Sequence, residues 1–102
     1  MTDAEIRTKL KEADDLFDRA IKALEPLAKE IANKVKRDTG LQFKYHLGHP
    51  EAGSECICLE VDEDCKDRFP SQDAAWDYTE NAIEPLFKGC KHVYFEEFCG
   101  LY

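Results

Sequence analysis

The sequence predicts an α+β fold with the element order α-β-β-α-β. We expect a three-stranded, mainly antiparallel sheet with a long N-terminal helix and a second helix packed on one face. Two observations predict this class. An amphipathic helical pattern fills the first 38 residues, and three later segments alternate apolar and polar side chains with the period of a strand. The length of 102 residues suits a single domain over residues 1–102.

An apolar repeat predicts the first helix. Its apolar positions are separated by alternating steps of four and three residues, as in a coiled-coil seam: Ile6, Leu10, Ala13, Phe17, Ala20, Leu24, Leu27 and Ile31. Thr2 and Glu5 fit a capping box at its start, and Gly40 is expected to end it. Pro26 removes one backbone hydrogen bond, so we expect a kink or a break there. The seam could also pack against the same helix of a second copy, so a homodimer through this helix is an alternative.

Two alternating segments, over residues 41–47 and 56–62, predict a β-hairpin. Like faces meet when the pairs are Leu47 with Ile57, Tyr45 with Leu59 and Phe43 with Val61. This register also sets Lys44 opposite Glu60, and the opposite charges support it. On the other face it sets His46 opposite Cys58.

The second helix is predicted over residues 72–88, with Ser71 as its N-cap and Gly89 at its end. Its expected inner face consists of Trp76, Thr79, Ile83, Leu86 and Phe87. The last strand, over residues 92–98, is expected to direct Val93 and Phe95 inward and Phe98 outward. Because the helical connection is long enough to reverse the chain, this strand can lie antiparallel beside the first.

The charge excludes some function classes. Fourteen basic and 22 acidic residues leave a net charge of −8. Such a chain neither neutralises phosphates nor attracts anionic lipid, so we expect no direct nucleic-acid binding and no membrane binding. The N-terminal residues lack the basic and apolar regions of a signal peptide. Five cysteines in such a chain predict reduced thiols in a cytoplasm, the host cytoplasm if the chain is phage-encoded.

Acidic residues concentrate beyond the first helix. Residues 1–38 hold nine acids and nine bases, so the whole net charge lies after them. Four carboxylates recur along the second helix with no basic residue between them: Asp73, Asp77, Glu80 and Glu84. A second cluster consists of Glu60, Asp62, Glu63, Asp64 and Asp67. We expect these residues to bind a basic surface of a partner protein; a solvated face that keeps the protein soluble is the alternative.

The outward face of the sheet carries an alternative site. His46, Cys56, Cys58 and His92 include the ligand types of a zinc site, and Cys58 with His46 could form a nucleophile pair. However, the Cys-x-Cys spacing differs from that of zinc knuckles, and a flat sheet face offers no pocket that excludes water. We therefore expect no cofactor and no catalysis.

The favoured function is a small, acidic, non-enzymatic protein-binding module. We expect an inhibitor that occupies the basic, nucleic-acid-binding surface of a nuclease, a CRISPR complex or a toxin. In size and charge alone, the chain is similar to toxin-neutralising immunity proteins and to phage-encoded anti-defence proteins, including anti-CRISPR proteins. The alternative function is a metal- or thiol-dependent site built from the histidines and cysteines of the open sheet face.

Overall fold

The structure is a computed structural model that describes residues 1–49, 54–62 and 69–99. Its regular elements are α1 (Asp3–Thr39), β1 (Phe43–Gly48), β2 (Glu55–Val61), α2 (Gln72–Tyr78) and β3 (Val93–Cys99). After α2 the chain continues through one π-helical turn (Thr79–Ile83) and one 3-10 turn (Glu84–Phe87). The predicted α+β class and element order are confirmed.

Helix α1 extends well beyond the sheet. Its 37 residues span about 56 Å, close to the longest dimension of the molecule, 59 Å. The Thr2 hydroxyl caps its start by accepting the Glu5 backbone N–H at 3.2 Å. At its end Gly40 adopts the left-handed conformation, with φ of 77°, that glycine tolerates best. The helix continues through Pro26, so the chain does not break there.

The hairpin has the predicted register. Phe43 pairs with Val61, Tyr45 with Leu59 and Leu47 with Ile57 in an antiparallel ladder. On the opposite face Lys44 lies across from Glu60, as predicted, and its ammonium is 3.8 Å from a carboxylate oxygen of Asp62. The alternation of apolar residues and one charge pair were therefore sufficient to identify the pairing.

The core fills the space between the inward face of the sheet and the two helical segments. Four residues from the C-terminal half of α1 are buried in it: Leu24, Ala28, Ile31 and Val35. Ala75 and Ile83 enter the same cluster from the second helical segment, so both helices cover one face. Five aromatic rings also pack together, with centroids 4.9 to 6.2 Å apart: Phe43, Phe69, Tyr78, Phe95 and Phe98.

Strand β3 lies beside β2 and runs parallel to it, which gives a mixed sheet with the order β1-β2-β3. The predicted position beside the first strand is therefore wrong. The helical connection returns the chain to the end of the sheet at which β2 begins, and a strand that starts there runs in the same direction as β2. Alternation within the strand carries no information about its neighbour.

A bulge in β3 reverses the direction of one core side chain. Ile57 pairs with Phe95, but Leu59 pairs with Phe98, so one residue of β2 lies opposite two of β3. The extra residue directs Phe98 into the core, where it is 7% exposed. The outward orientation predicted for Phe98 is therefore wrong, because strict alternation assumes a ladder without a bulge.

The second helical segment begins as predicted but is irregular. The Ser71 hydroxyl accepts the Ala74 backbone N–H at 3.1 Å, and Gly89 has the left-handed φ of 90° after its end. The π and 3-10 turns lie around Pro85, which has no N–H to donate to the preceding turn. The predicted continuous helix therefore changes its hydrogen-bonding pattern before it reaches Gly89.

The buried face of this segment also differs from the prediction. Ile83 is fully buried, as predicted, and Thr79 and Phe87 are half-buried. Trp76 and Leu86 were expected inward but are 57% and 54% exposed. In α2 the small Ala75 is the residue that meets the core. The bulky apolar residues on either side of the π turn therefore remain at the surface.

A hydrogen bond joins the end of α1 to the second helical segment. The Tyr78 hydroxyl donates to a carboxylate oxygen of Asp38 at 2.8 Å, and the Lys34 ammonium lies 3.1 Å from the same oxygen. The hydrogen bond from Tyr78, followed by that from Lys34, lowers the pKa of Asp38. Burial and the Asp38 contact raise the pKa of Tyr78. This contact attaches the exposed acidic helical segment to the core helix.

The position of Phe98 predicts a large cost of truncation. We expect Phe98→Ala to lower the free energy of unfolding by about 3–5 kcal/mol, because it leaves a cavity among packed rings. The control Leu86→Ala removes a side chain that is 54% exposed and should cost less than about 1 kcal/mol. Urea denaturation followed by circular dichroism measures both. Equal losses for the two variants would contradict the inward orientation of Phe98.

Candidate functional site

The acidic face is the surface formed by Asp73, Asp77, Glu80 and Glu84. All four side chains are exposed. Within residues 1–49, 54–62 and 69–99, the ion pairs found are Lys34 with Asp38, Lys44 with Asp62 and His49 with Glu55. None of these involves the acidic face, so its negative charge is directed to solvent without a basic counterpart from the described chain.

The π turn changes the arrangement of these carboxylates. Steps of four, three and four residues stack side chains in one column only along a continuous α-helix. Here Glu80 lies within the π turn and Glu84 begins the 3-10 turn. A π turn holds more residues than an α turn, so these two side chains rotate away from the column begun by Asp73 and Asp77. The four carboxylates therefore do not form the single column that their spacing would give along a continuous α-helix.

The second predicted acidic cluster is described only in part. Glu60 is exposed, and Asp62 is half-buried beside the Lys44 ammonium. The other members, Glu63, Asp64 and Asp67, lie outside the described residues.

A group of thiols and carboxylates occupies the outward face of the sheet. The prediction that this face is open is wrong at β2, because Cys56 and Cys58 are buried and Cys99 is half-buried. The Cys58 and Cys99 sulfurs are 2.6 Å apart, and the Cys99 sulfur is 3.6 Å from a carboxylate oxygen of Glu97. Potential ligand atoms of these three residues all lie within 4.8 Å of one another. We call Cys58, Glu97 and Cys99 the thiol–carboxylate group. Another described thiol of this face, Cys56, lies 3.2 Å from a Glu96 carboxylate oxygen.

This group differs from the predicted one. His46 lies opposite Cys58 in the ladder, as predicted, but neither His46 nor His92 belongs to the group. Glu97 and Cys99 are not among the predicted site residues, because they reach Cys58 only through the parallel pairing and the bulge of β3. No spacing within the sequence could have shown this contact.

The thiols on this face are held in their protonated form. Burial, followed by the contact with Cys99, raises the pKa of Cys58, and burial also raises the pKa of Cys99. Burial and the hydrogen bond to Glu96 raise the pKa of Cys56 to about 11. A nucleophilic cysteine needs a thiolate, so these shifts argue against a Cys58–His46 nucleophile pair. The neighbouring carboxylates favour a cation at this position, whether a proton or a metal ion.

The arm, residues 3–20 of α1, is the third candidate surface. Every side chain from residue 1 to residue 20 is exposed, and Leu24 is the first buried residue of the helix. The larger apolar side chains of the arm are between 42% and 65% exposed: Ile6, Leu10, Leu16 and Phe17. In the described chain, the seam residues of the arm are therefore uncovered, whereas in the C-terminal half of α1 Leu24 and Ile31 are buried and Leu27 is exposed.

The clefts in the described surface are small or open. One cleft, between α2 and β3, has a volume of about 140 Å³ and includes Trp76 and Glu96 in its lining. Small-molecule sites typically have volumes of roughly 300–1,000 Å³. This cleft is too small for a typical organic substrate.

Comparisons with protein-family models, curated proteins and solved structures find no match for this chain. Among the described residues, no helix combines the length and apolar character needed to cross a membrane.

Proposed function

We propose that this protein is a small non-enzymatic protein-binding module, and that it inhibits its partner by occupying a basic, nucleic-acid-binding surface. One observation carries the proposal. The carboxylates of the acidic face are exposed together, with no ion-pair partner among the described residues. Glu60 and Asp62, with Glu63, Asp64 and Asp67 of the second cluster, would extend the contact.

Binding would relieve a repulsion that the free protein tolerates. Asp73 and Asp77 lie four residues apart within α2, a spacing at which like charges destabilise an isolated helix by about 0.2–0.5 kcal/mol. A partner's arginines and lysines would replace this repulsion with attraction. Complementary potentials also accelerate encounter and reject partners of the wrong charge. The acidic face therefore favours a binding function over a purely solubilising one.

The partner class is a nuclease, a CRISPR complex or a toxin in a reducing cytoplasm. These proteins bind nucleic acid through basic grooves, and an acidic protein in the groove would exclude the nucleic acid. Literal mimicry of a strand is not required. Phosphates advance about 3.4 Å per nucleotide, whereas neighbouring side chains on a helix lie about 5–6 Å apart. Competition for the same groove would be sufficient.

Charge reversal on the acidic face tests this proposal. We expect a variant with Asp73, Asp77, Glu80 and Glu84 changed to Lys to lose a basic partner that the wild type retains from a lysate of its source organism. Heparin, a soluble polyanion, should release that partner from the wild type, because the two would compete for one groove. Affinity purification with quantitative mass spectrometry measures both effects.

A matched control separates the surface from the net charge. Changing Glu5, Glu12, Asp15 and Asp18 to Lys alters the total charge equally, but on exposed positions of the arm away from its apolar seam. This control should keep the partner. Equal recovery of the partner with the acidic-face variant and with the wild type would refute the proposal.

A second candidate function, binding of a soft metal ion, rests on the thiol–carboxylate group. Two sulfurs and one carboxylate oxygen are ligand types that Zn²⁺ accepts. With three protein ligands, a fourth position would remain for solvent or for a group from a partner. The raised pKa of Cys58 and of Cys99 means that a metal ion would have to displace thiol protons.

If this second function is correct, the protein binds one Zn²⁺ or Cd²⁺ per chain. Affinity should rise with pH across the neutral range, because higher pH removes the protons that compete with the metal. Cys58→Ser and Cys99→Ser should abolish binding, while Cys90→Ser, at an exposed cysteine outside the group, should leave it unchanged. Native mass spectrometry and cadmium–thiolate absorption measure stoichiometry and ligation.

The exposed Glu97 provides a variant with little risk to folding. Glu97→Gln should weaken binding, because it removes the negative charge from one of the three ligands. Unchanged affinity in Glu97→Gln together with unchanged stoichiometry in Cys99→Ser would exclude this site.

A further inference from the structure

The apolar seam of α1 continues from the core into the arm along one helix face. Leu10, Phe17, Leu24 and Ile31 are seven residues apart and therefore share that face. Leu24 and Ile31 are 6% and 9% exposed, whereas Leu10 and Phe17 are 65% and 49% exposed. The domain thus covers Leu24 and Ile31, although Leu27 between them is 55% exposed, and it leaves the seam residues of the arm uncovered.

We propose that the arms of two copies of this chain pack against each other as an antiparallel helix pair. This inference is independent of the acidic face. The dimer would be two-fold symmetric, so every contact would occur twice. The contact would extend over residues 3–20, about 27 Å of helix.

The position of the domain selects the antiparallel direction. From Leu24 onward, the chain's own sheet covers the side of α1 that carries Leu24, Ala28 and Ile31, whereas Leu27 of the seam remains 55% exposed. In a parallel pair, the domains of both copies would lie at the same end of the two helices, where the two sheets would clash. An antiparallel partner places the two domains at opposite ends of the pair. Each N-terminus then approaches the other copy's domain.

Side-chain size and charge together select one register. In this register Leu10 lies opposite Ala13 of the second copy, and the small alanine leaves room for the leucine. Ile6 then lies opposite Phe17 of the second copy. The flanking position then brings Arg7 beside Asp14 of the second copy, which gives two ion pairs per dimer. If the two helices were instead shifted by one heptad toward the domains, Asp14 of one copy would lie beside Asp14 of the other, and the two carboxylates would repel each other.

The net charge of the arm also favours a second copy as the occupant. Residues 3–20 contain six acids and four bases, a net charge of −2. The rest of the chain, with a net charge of −6 out of the total of −8, lies outside the proposed contact. Two arms can therefore pack without strong repulsion, and their exposed apolar side chains supply the attraction. The resulting dimer would carry two copies of the acidic face.

Solution mass tests the dimer. Analytical ultracentrifugation should give twice the 11.7 kDa chain mass at high protein concentration and approach the single-chain mass on dilution. Phe17→Glu should raise the dissociation constant at least about 100-fold, because it would bury an unpaired charge. Thr8→Glu, which adds the same charge outside the seam, should change it little. A single-chain mass at every concentration, or an unaffected dimer in Phe17→Glu, would overturn the proposal.

A charge-swap cycle tests direction and register. Arg7→Asp and Asp14→Arg should each weaken the dimer by about tenfold through like-charge contacts, and the double variant should restore it. In a parallel coiled coil, Lys9 would replace Arg7 as the neighbour of Asp14. Failure of the double variant to restore the dimer would therefore exclude the antiparallel register.

Discussion

The packing of the C-terminal half of α1 on the sheet is the contact on which the rest of this structure depends. Its four buried residues, Leu24 to Val35, close the core over strands of only six and seven residues. Such strands extend about 20–24 Å, less than half the length of a 37-residue helix. A helix attached by one end to so short a sheet must project beyond it. The exposed arm is therefore a geometric consequence of a seam that is longer than the surface available to cover it.

The same packing places neither helical segment on the opposite face of the sheet. Both helical segments lie on the inward face, so β2 directs Cys56 and Cys58 to the other, where both are nevertheless buried. The parallel placement of β3 and its bulge then bring Glu97 and Cys99 to Cys58. Irregular backbone thus shapes both of the outward-facing candidate sites: the bulge assembles the thiol–carboxylate group, and the π turn spreads the acidic face.

Local patterns in the sequence were sufficient for some elements and insufficient for others. The helix caps at Thr2 and Ser71 and the hairpin register depend on neighbouring residues or on alternation, and each was predicted. The parallel pairing of β3 and the inward Phe98 depend on long-range topology and on a bulge, neither of which has a local signal. The seam of α1 was visible in the sequence, but its periodicity could not show where the domain stops covering it. The acidic residues were equally visible, whereas the contact of Cys58 with Cys99 required the fold.

Helix α1 packs on the domain from about Leu24 onward, and the arm does not. Residue-resolved amide hydrogen exchange on the Phe17→Glu variant is the most direct test of this difference. If the domain covers only the C-terminal half of α1, amides from Leu24 to Thr39 should exchange at rates set by global unfolding, and amides of residues 3–20 should exchange much faster. In the wild type, protection of the arm should rise with protein concentration. Equal protection along the whole helix of the variant at every concentration would show that the arm packs on its own domain, which would contradict this description of the fold.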